Sequence, residues 1–333
     1  MTRTDDFAAR TMPYRRELLA HCYRMLGSVD DAEDLVQETL LRAWRGYPEF
    51  EGRASLRTWL YRIATNACLN ALAHSSRKVL PSGLGGPADH RDPLGPDADR
   101  VPWLQPVPDV LITPETTDPA AIVDLRHGTR LALVAAWQYL PPRQRAVLIL
   151  RDVLRWKATE VAALLDTTVP AVNSTLQRAH ATLAGLPAVA EEVTEPDDPE
   201  VRALLDRYAA AFEAFDMDAL AKLLLADAVW EMPPILEWFA GRADVIHLIG
   251  TRCPARAGRI RMIPTAANGQ PAFAMYQNGE AHSIQVLTPT PAGIAKVVAF
   301  HGPELFASFG LPKSLEGSEY NEPPDRSQRV PGS

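Results

Sequence analysis

The chain has 333 residues, 47% apolar and 23% charged, a globular balance with enough apolar material for more than one core. No run of about 18 apolar residues occurs, which argues against a transmembrane helix. The first twenty residues carry Asp5 and Asp6 and no apolar centre, which argues against a secretory signal. Cys22, Cys68 and Cys253 are scattered and lack a Cys-x-x-Cys spacing, so neither a disulfide framework nor a metal site is expected, and a cytoplasmic setting fits.

The net charge of −7 conceals an uneven distribution. Residues 1–79 carry +2, 80–119 carry −5, 120–190 carry +4 and 191–333 carry −8. Two mildly basic blocks are thus separated by an acidic spacer and followed by an acidic block.

In the first block, 13–25 reads as a helix with Leu18, Leu19, Cys22 and Met25 on one face and Gly27 as its stop. A second helix begins near Asp30. Its acidic first turn suits the positive end of the helix dipole. Leu35, Val36, Leu40, Ala43 and Trp44 form its apolar stripe. Asp34, Gln37, Glu38, Leu41 and Arg42 are left facing outward, which by spacing alone describes any solvated face. A third helix is capped by Ser55 and has Leu56, Trp59, Leu60 and Ile63 inward. Arg62, Asn66 and Asn70 recur at i+4 on its other face, with Arg53 and Arg57 at its start and Arg77 and Lys78 beyond its end. Guanidinium groups suit phosphates and asparagine amides suit base edges, although such faces also occur on ordinary solvated helices.

Residues 80–119 hold nine prolines and four glycines. Proline removes backbone donors and restricts its predecessor, so an extended linker is expected there. Trp103, Leu104, Val107 and Val110 are apolar for a free linker and are expected to dock on a neighbouring domain. The second block begins with an apolar helix over 122–139, stopped at Pro141-Pro142. Short helices over 143–154 and 157–165, a turn at 166–168 and a helix over 169–183 then follow. This is the layout of a helix-turn-helix, with an ordinary three-helix bundle as the alternative.

In the last block, 198–225 reads as one long helix or a pair. Strand-like runs follow at 229–232, 259–263, 270–276, 282–287 and 294–300. Asn268-Gly269 and Asn278-Gly279 are turn signals between runs. Helices first and strands after predict an α+β domain.

The strings DAEDLVQETLLRAW and FEGRASLRTWLYRIATNACLNAL resemble region 2 of the extracytoplasmic-function (ECF) group of the sigma-70 family. LPPRQRAVLILRDVLRWKATEVAALLDTTVPAVNSTLQRAHATL is similar to sigma region 4. RYAAAFEAFD and DAVWEMPP resemble the SnoaL-like cone fold. The resemblance implies two all-α sigma domains plus a C-terminal α+β SnoaL-like domain. Its domains would be region 2 at 8–79, the linker at 80–119, region 4 at 120–188, the SnoaL-like domain at 197–315 and a disordered tail at 316–333.

It further implies a sigma factor whose partners are core RNA polymerase and promoter DNA, with no membrane association. Asp34, Gln37, Glu38, Leu41 and Arg42 would grip the polymerase. Arg53, Ser55, Arg57, Arg62, Asn66, Asn70, Arg77 and Lys78 would hold the melted minus-ten strand. Arg155, Lys157, Asn173, Ser174, Thr175, Gln177 and Arg178 would read the minus-thirty-five duplex. The last helix carries only Arg178 where the family often has two or three arginines, so less counterion release and weaker duplex binding are expected.

Trp230, Trp238, Tyr276 and His282 are the pocket candidates of the C-terminal domain, which would take a small-molecule ligand or serve structurally. Glu231, His247 and His301 are further residues without decisive spacing. No catalytic residue and no cofactor is assigned. The rival reading is a cyclase- or isomerase-type enzyme, or a ligand sensor, carrying a DNA-binding arm. It leaves the region 2 strings without a purpose.

Overall fold

The computed structural model describes residues 3–52, 54–89, 91, 94–96, 98, 100–113, 128–186, 198–253 and 257–315. The chain divides into two units. Met1–Leu80, Asp99–Ala190 and Ala267–Gly269 form the first, and Pro81–Ala98, Glu191–Ala266 and Gln270–Ser333 form the second.

The first unit is helical. Its front half comprises α1 (Arg3–Thr11), α2 (Arg15–Leu26), α3 (Val29–Gly46) and α4 (Leu56–Leu72). Helix α2 ends at Gly27, whose φ of 71° demands glycine, and a Cβ there would meet Leu104 Cδ1 at 2.6 Å. Ser28 then caps α3 by accepting from Asp31 N at 3.1 Å. Leu18, Leu19, Cys22 and Met25 of α2, Ala32, Val36 and Ala43 of α3, and Leu60, Ala64 and Cys68 of α4 are buried together. Each buried leucine among them contributes about 1.5–3 kcal/mol.

Between the halves, Leu104 and Val107 are buried as their apolar character predicts, whereas Val110 is 63% exposed. Gln105 Oε1 accepts from Ser28 Oγ and Val29 N at 2.8 and 2.9 Å, which satisfies donors at the start of α3. Helix α5 (Asp109–Ile112) follows. The stretch expected to be one linker is shared, with 81–98 in the second unit and 99 onward in the first.

The back half has α6 (Leu131–Trp137), α7 (Pro142–Leu148) running into a π-helical turn at Ile149–Val153, α8 (Ala158–Leu164) and α9 (Val169–Ala184). Of the helix expected over 122–139, residues 122–127 lie outside the described residues. Thr168 caps α9 and Pro170 sits in its first turn.

The second unit is the expected α+β body. Helices α10 (Pro199–Glu213) and α11 (Met217–Leu223) make the expected pair. Phe215 at φ 53° breaks the run, and Asp216 caps the new helix by accepting from Ala219 N at 2.9 Å. The strands are β1 (Leu224–Glu231), β2 (Trp238–Ala240), β3 (Ile260–Ala267), β4 (Gln270–Gln277), β5 (Glu280–Thr290) and β6 (Gly293–His301). They form a mixed sheet in the order β2-β1-β6-β5-β4-β3, with β1 and β6 parallel. Asn268, Gly269, Asn278 and Gly279 all have positive φ, as the tight turns at these Asn-Gly pairs require. Strand β2 and helix α12 (Arg242–Arg252) are additions that the sequence reading missed. The short α13 (Leu305–Ser308) ends the described chain's helices. Phe212, Trp230, Phe239, Phe273 and Leu287 lie in the core between helices and sheet. The tail at 316–333 and the boundary at 191–197 lie outside the described residues.

Candidate polymerase and nucleic-acid interface

Helix α3 separates its two faces as its spacing predicts. Val36, Thr39 and Ala43 are buried, while Asp34, Gln37, Leu41 and Arg42 are exposed and Glu38 is half-buried. Leu41 is 57% exposed, a large apolar side chain left in water. Glu38 and Arg42 form an i,i+4 ion pair at 2.5 Å. Such exposed pairs contribute little to stability, so the face carries its acids with no large folding role.

Helix α4 presents the second face. Ser55 caps it by accepting from Thr58 N at 3.0 Å. Arg62, Asn66 and Asn70 are all exposed on the side away from buried Leu60, Ala64 and Cys68. Arg53 lies outside the described residues. The Arg57 guanidinium pairs with Glu17 at 2.8 Å and lies 4.9 Å from the Tyr61 ring and 5.6 Å from the Trp156 ring. Burial opposes the charge, but the Glu17 bond and the neighbouring groups together hold its pKa above the usual value. It braces the helices while 38% of its side chain stays exposed. Lys78 pairs with Asp31 at 2.9 Å, and Arg77 lies over the Tyr139 ring at 4.1 Å.

Helices α8 and α9, with the turn between them, form the helix-turn-helix. Val172 and Ala179 are buried beneath α9, and Asn173, Ser174, Gln177 and Arg178 are exposed on it, with Thr175 half-buried. Arg178 donates to Ser174 Oγ at 2.7 Å and Thr175 Oγ1 at 3.0 Å, so the guanidinium is held in place by its own helix. Arg155 and Lys157 are exposed beside the turn into α8. His180 pairs with Asp152 at 2.6 Å.

Sequence reasoning missed two internal cations. Arg24 is 1% exposed and donates through Nε to Gly128 O at 2.8 Å. Arg145 is 3% exposed and donates to Gln138 Oε1 at 2.7 Å, to Gln138 O at 3.1 Å, to Leu140 O at 3.2 Å and to Met25 O. Burial lowers both pKa values to about 10, which leaves both charged at neutral pH. No periodic signal distinguishes them from solvent-facing arginines in the sequence.

In the second unit, Trp230 and His282 of the four pocket candidates line a cavity. Trp238 is placed elsewhere, donating through Nε1 to Gly85 O at 2.9 Å. Tyr276 is fully buried, donates to Pro312 O at 2.8 Å and meets the Phe306 ring edge-on. His301 lines the cavity too, and Glu231 is a buried ion-pair partner of Lys296 at 2.6 Å. No cluster of three or more His, Cys, Asp or Glu that could hold a metal occurs among the described residues.

A helix-turn-helix behind a helical bundle with polar outward faces fits the transcription-factor class of protein, and the family comparisons show that class. The Sigma-70 region 2 family matches residues 12–78, and the Sigma-70, region 4 family matches residues 130–183. The chain is 54% identical over 321 residues to the ECF RNA polymerase sigma factor SigG of Mycobacterium tuberculosis, covering 94% of this chain and 86% of the relative. It is 28% identical over 218 residues to SigJ of the same organism, covering 65% of this chain and 61% of that relative. The crystal structure of Mycobacterium tuberculosis SigJ matches with a TM-score of 0.60 at 22% identity, over 92% of this chain and 99% of that one, which shows a shared fold. The chain belongs to the ECF sigma factors of RNA polymerase.

Proposed function

We propose that this chain binds core RNA polymerase and directs initiation at its promoters with a division of labour among its helical faces. The acidic face of α3, centred on Asp34, Gln37, Glu38 and Leu41 with Arg42 at its edge, meets the polymerase. The face of Arg62, Asn66 and Asn70, with Arg53 and Ser55 at its start and Arg77 and Lys78 beyond it, holds the melted minus-ten strand. Arg57, paired with Glu17, braces that helix at the edge of this face. Asn173, Ser174, Thr175, Gln177 and Arg178 read the minus-thirty-five duplex, with Arg155 and Lys157 on its phosphates. The working domains are 8–79, 120–188 and 197–315, the last a regulator, with 80–119 linking the first two. The chain does no chemistry of its own and works in the cytoplasm. Among the described residues no helix is long and apolar enough to cross a membrane.

The observation that carries this reading is the exposure of Arg62, Asn66 and Asn70 along one line of α4. Amides and a guanidinium in a row match what a captured single strand needs, which is hydrogen bonds to base edges and a cation for its backbone. Run-off transcription with purified core polymerase tests it. Promoter-dependent transcripts that vanish when the chain is omitted support the reading. Their absence on every genomic template defeats it.

A further inference from the structure

Arg77 lies just past the end of α4, beyond the exposed line of Arg62, Asn66 and Asn70, and is itself exposed. Its guanidinium carbon sits over the Tyr139 ring, 4.1 Å from the centroid. Tyr139 belongs to the back half of the first unit, in the turn between α6 and α7, and is 36% exposed. The other cations of this neighbourhood are held by charge. Lys78 pairs with Asp31 at 2.9 Å and Arg57 with Glu17 at 2.8 Å. Among the described residues no carboxylate pairs with Arg77. A flat π face fixes its position.

A tyrosine ring and an unpaired nucleobase offer a guanidinium the same surface, a planar π system of similar width. Bases in a melted strand have such faces free, and proteins that hold single strands use them. The chain runs from Asn70 through the last turn of α4 to Arg77, so a strand lying along Arg62, Asn66 and Asn70 continues toward this guanidinium.

We infer that Arg77 binds an unpaired base by stacking, and that the Tyr139 ring holds that place while the front and back halves of the first unit stay together. This rests on the reading of α4 as the holder of the melted strand, and it gives Arg77 a base in place of a phosphate. The two roles ask different things of the side chain. A phosphate is served by any cation, including a point charge, whereas stacking asks for the guanidinium plane.

The ring and the base compete for one guanidinium. By linkage, a strand that takes Arg77 weakens the hold between the halves, and the closed halves weaken the strand by the same factor. The contact is exposed, where a cation–π pair is worth about two- to fivefold in an equilibrium constant.

The test is fluorescence anisotropy on the full chain without polymerase. The probes are a short fluorescein-labelled oligothymidine and a strand of the same length that keeps the phosphates and has abasic sites throughout. Tyr139→Ala uncovers the guanidinium and should tighten oligothymidine about two- to fivefold, with the abasic strand unchanged. Tyr139→Phe keeps the ring and should bind as the parent chain does. Arg77→Lys keeps the charge and loses the plane, so it should weaken oligothymidine about fivefold and leave the abasic strand unchanged. Thermal melts accompany each variant. If Tyr139→Ala does not fold, the two strands with Arg77→Lys decide alone. Asn66→Ala separates this inference from the reading beneath it. Weaker oligothymidine binding in Asn66→Ala with no change in Tyr139→Ala sinks the inference and spares that reading of α4. A change in Tyr139→Ala with none in Asn66→Ala keeps Arg77 as a base binder and takes Asn66 out of the strand's path. The inference is overturned by unchanged oligothymidine affinity in Tyr139→Ala, by equal effects of either variant on both strands, or by no binding of oligothymidine at all.

Discussion

Replacing Arg145 by alanine should destabilise the first unit more than any exposed arginine does. The guanidinium donates to four acceptors, of which Met25 O lies at the end of α2 and the others belong to the α6–α7 connection. The variant removes the donors and leaves the carbonyls buried. A hydrogen bond to a charged group is worth about 1.5–3 kcal/mol, and an orphaned buried acceptor costs about 1–3 kcal/mol. Against this stands relief from burying an unpaired cation, itself several kcal/mol. The balance is a net loss of about 2–4 kcal/mol, or roughly 5–15 °C in the midpoint of a unit this size. Arg145→Lys should recover little, because one ammonium cannot reproduce a planar fork. Calorimetric melts of the full chain, with the transition of the first unit resolved, provide the measurement. A midpoint shift below about 2 °C would refute the argument that these carbonyls depend on the cation.

Asp34→Arg or Glu38→Arg should weaken core-polymerase binding, by several kcal/mol where the charge meets a complementary surface, without changing the melt. Unchanged affinity in a core-binding assay would mark the face as merely solvated. Asn66→Ala or Asn70→Ala should impair strand opening, read by permanganate reactivity, while Arg178→Ala should cost about 1–3 kcal/mol of duplex affinity, read by gel shift. Swapped effects would reverse the assignment. Glu231→Gln should destabilise the second unit by about 3 kcal/mol, because Lys296 loses its counter-charge and one of the two oxygens that accept from Ser82 N and Oγ, at 3.0 and 3.1 Å, becomes an NH2 donor. A thermal melt reads it. Stability should also fall in acid. His21 and His301 have pKa values lowered by burial to about 3, so the unfolded chain takes up protons below pH 6.5 that the folded chain refuses. Each contributes a loss of about 2 kcal/mol by pH 5. Flat urea midpoints between pH 7 and 5 would contradict this.

The exposed faces of α3, α4 and α9 were legible because a helix repeats every 3.6 residues and each has a full apolar stripe opposite. The Asn-Gly turns were legible because positive φ at both positions selects those residues. The pairing of Arg57 was not legible, because Glu17 lies forty positions away and no local spacing reports such a partner. Trp238 and Tyr276 were plausible pocket residues by type, but type does not say which side of a sheet or rim a ring occupies. Strand β2 is three residues long, too short for alternation to show. The cavity drew His301 and Leu94 from distant stretches, and only the folded chain brings them to His282.

Arg24 and Arg145 join the two sigma regions of the first unit through carbonyl oxygens, beside the packing of the Tyr61 ring against Trp156. A compact body of this length has a radius of gyration of about 15 Å. Promoter elements whose names differ by about 25 base pairs are about 85 Å apart along the duplex at 3.4 Å per step. If the faces of α4 and α9 read those two elements as proposed, they cannot reach both while this junction stays closed. Water can replace every carbonyl that the two guanidinium groups release, and both charges regain hydration as they leave. The polar part of the junction is thus built like a latch, whose parting exposes groups already suited to water.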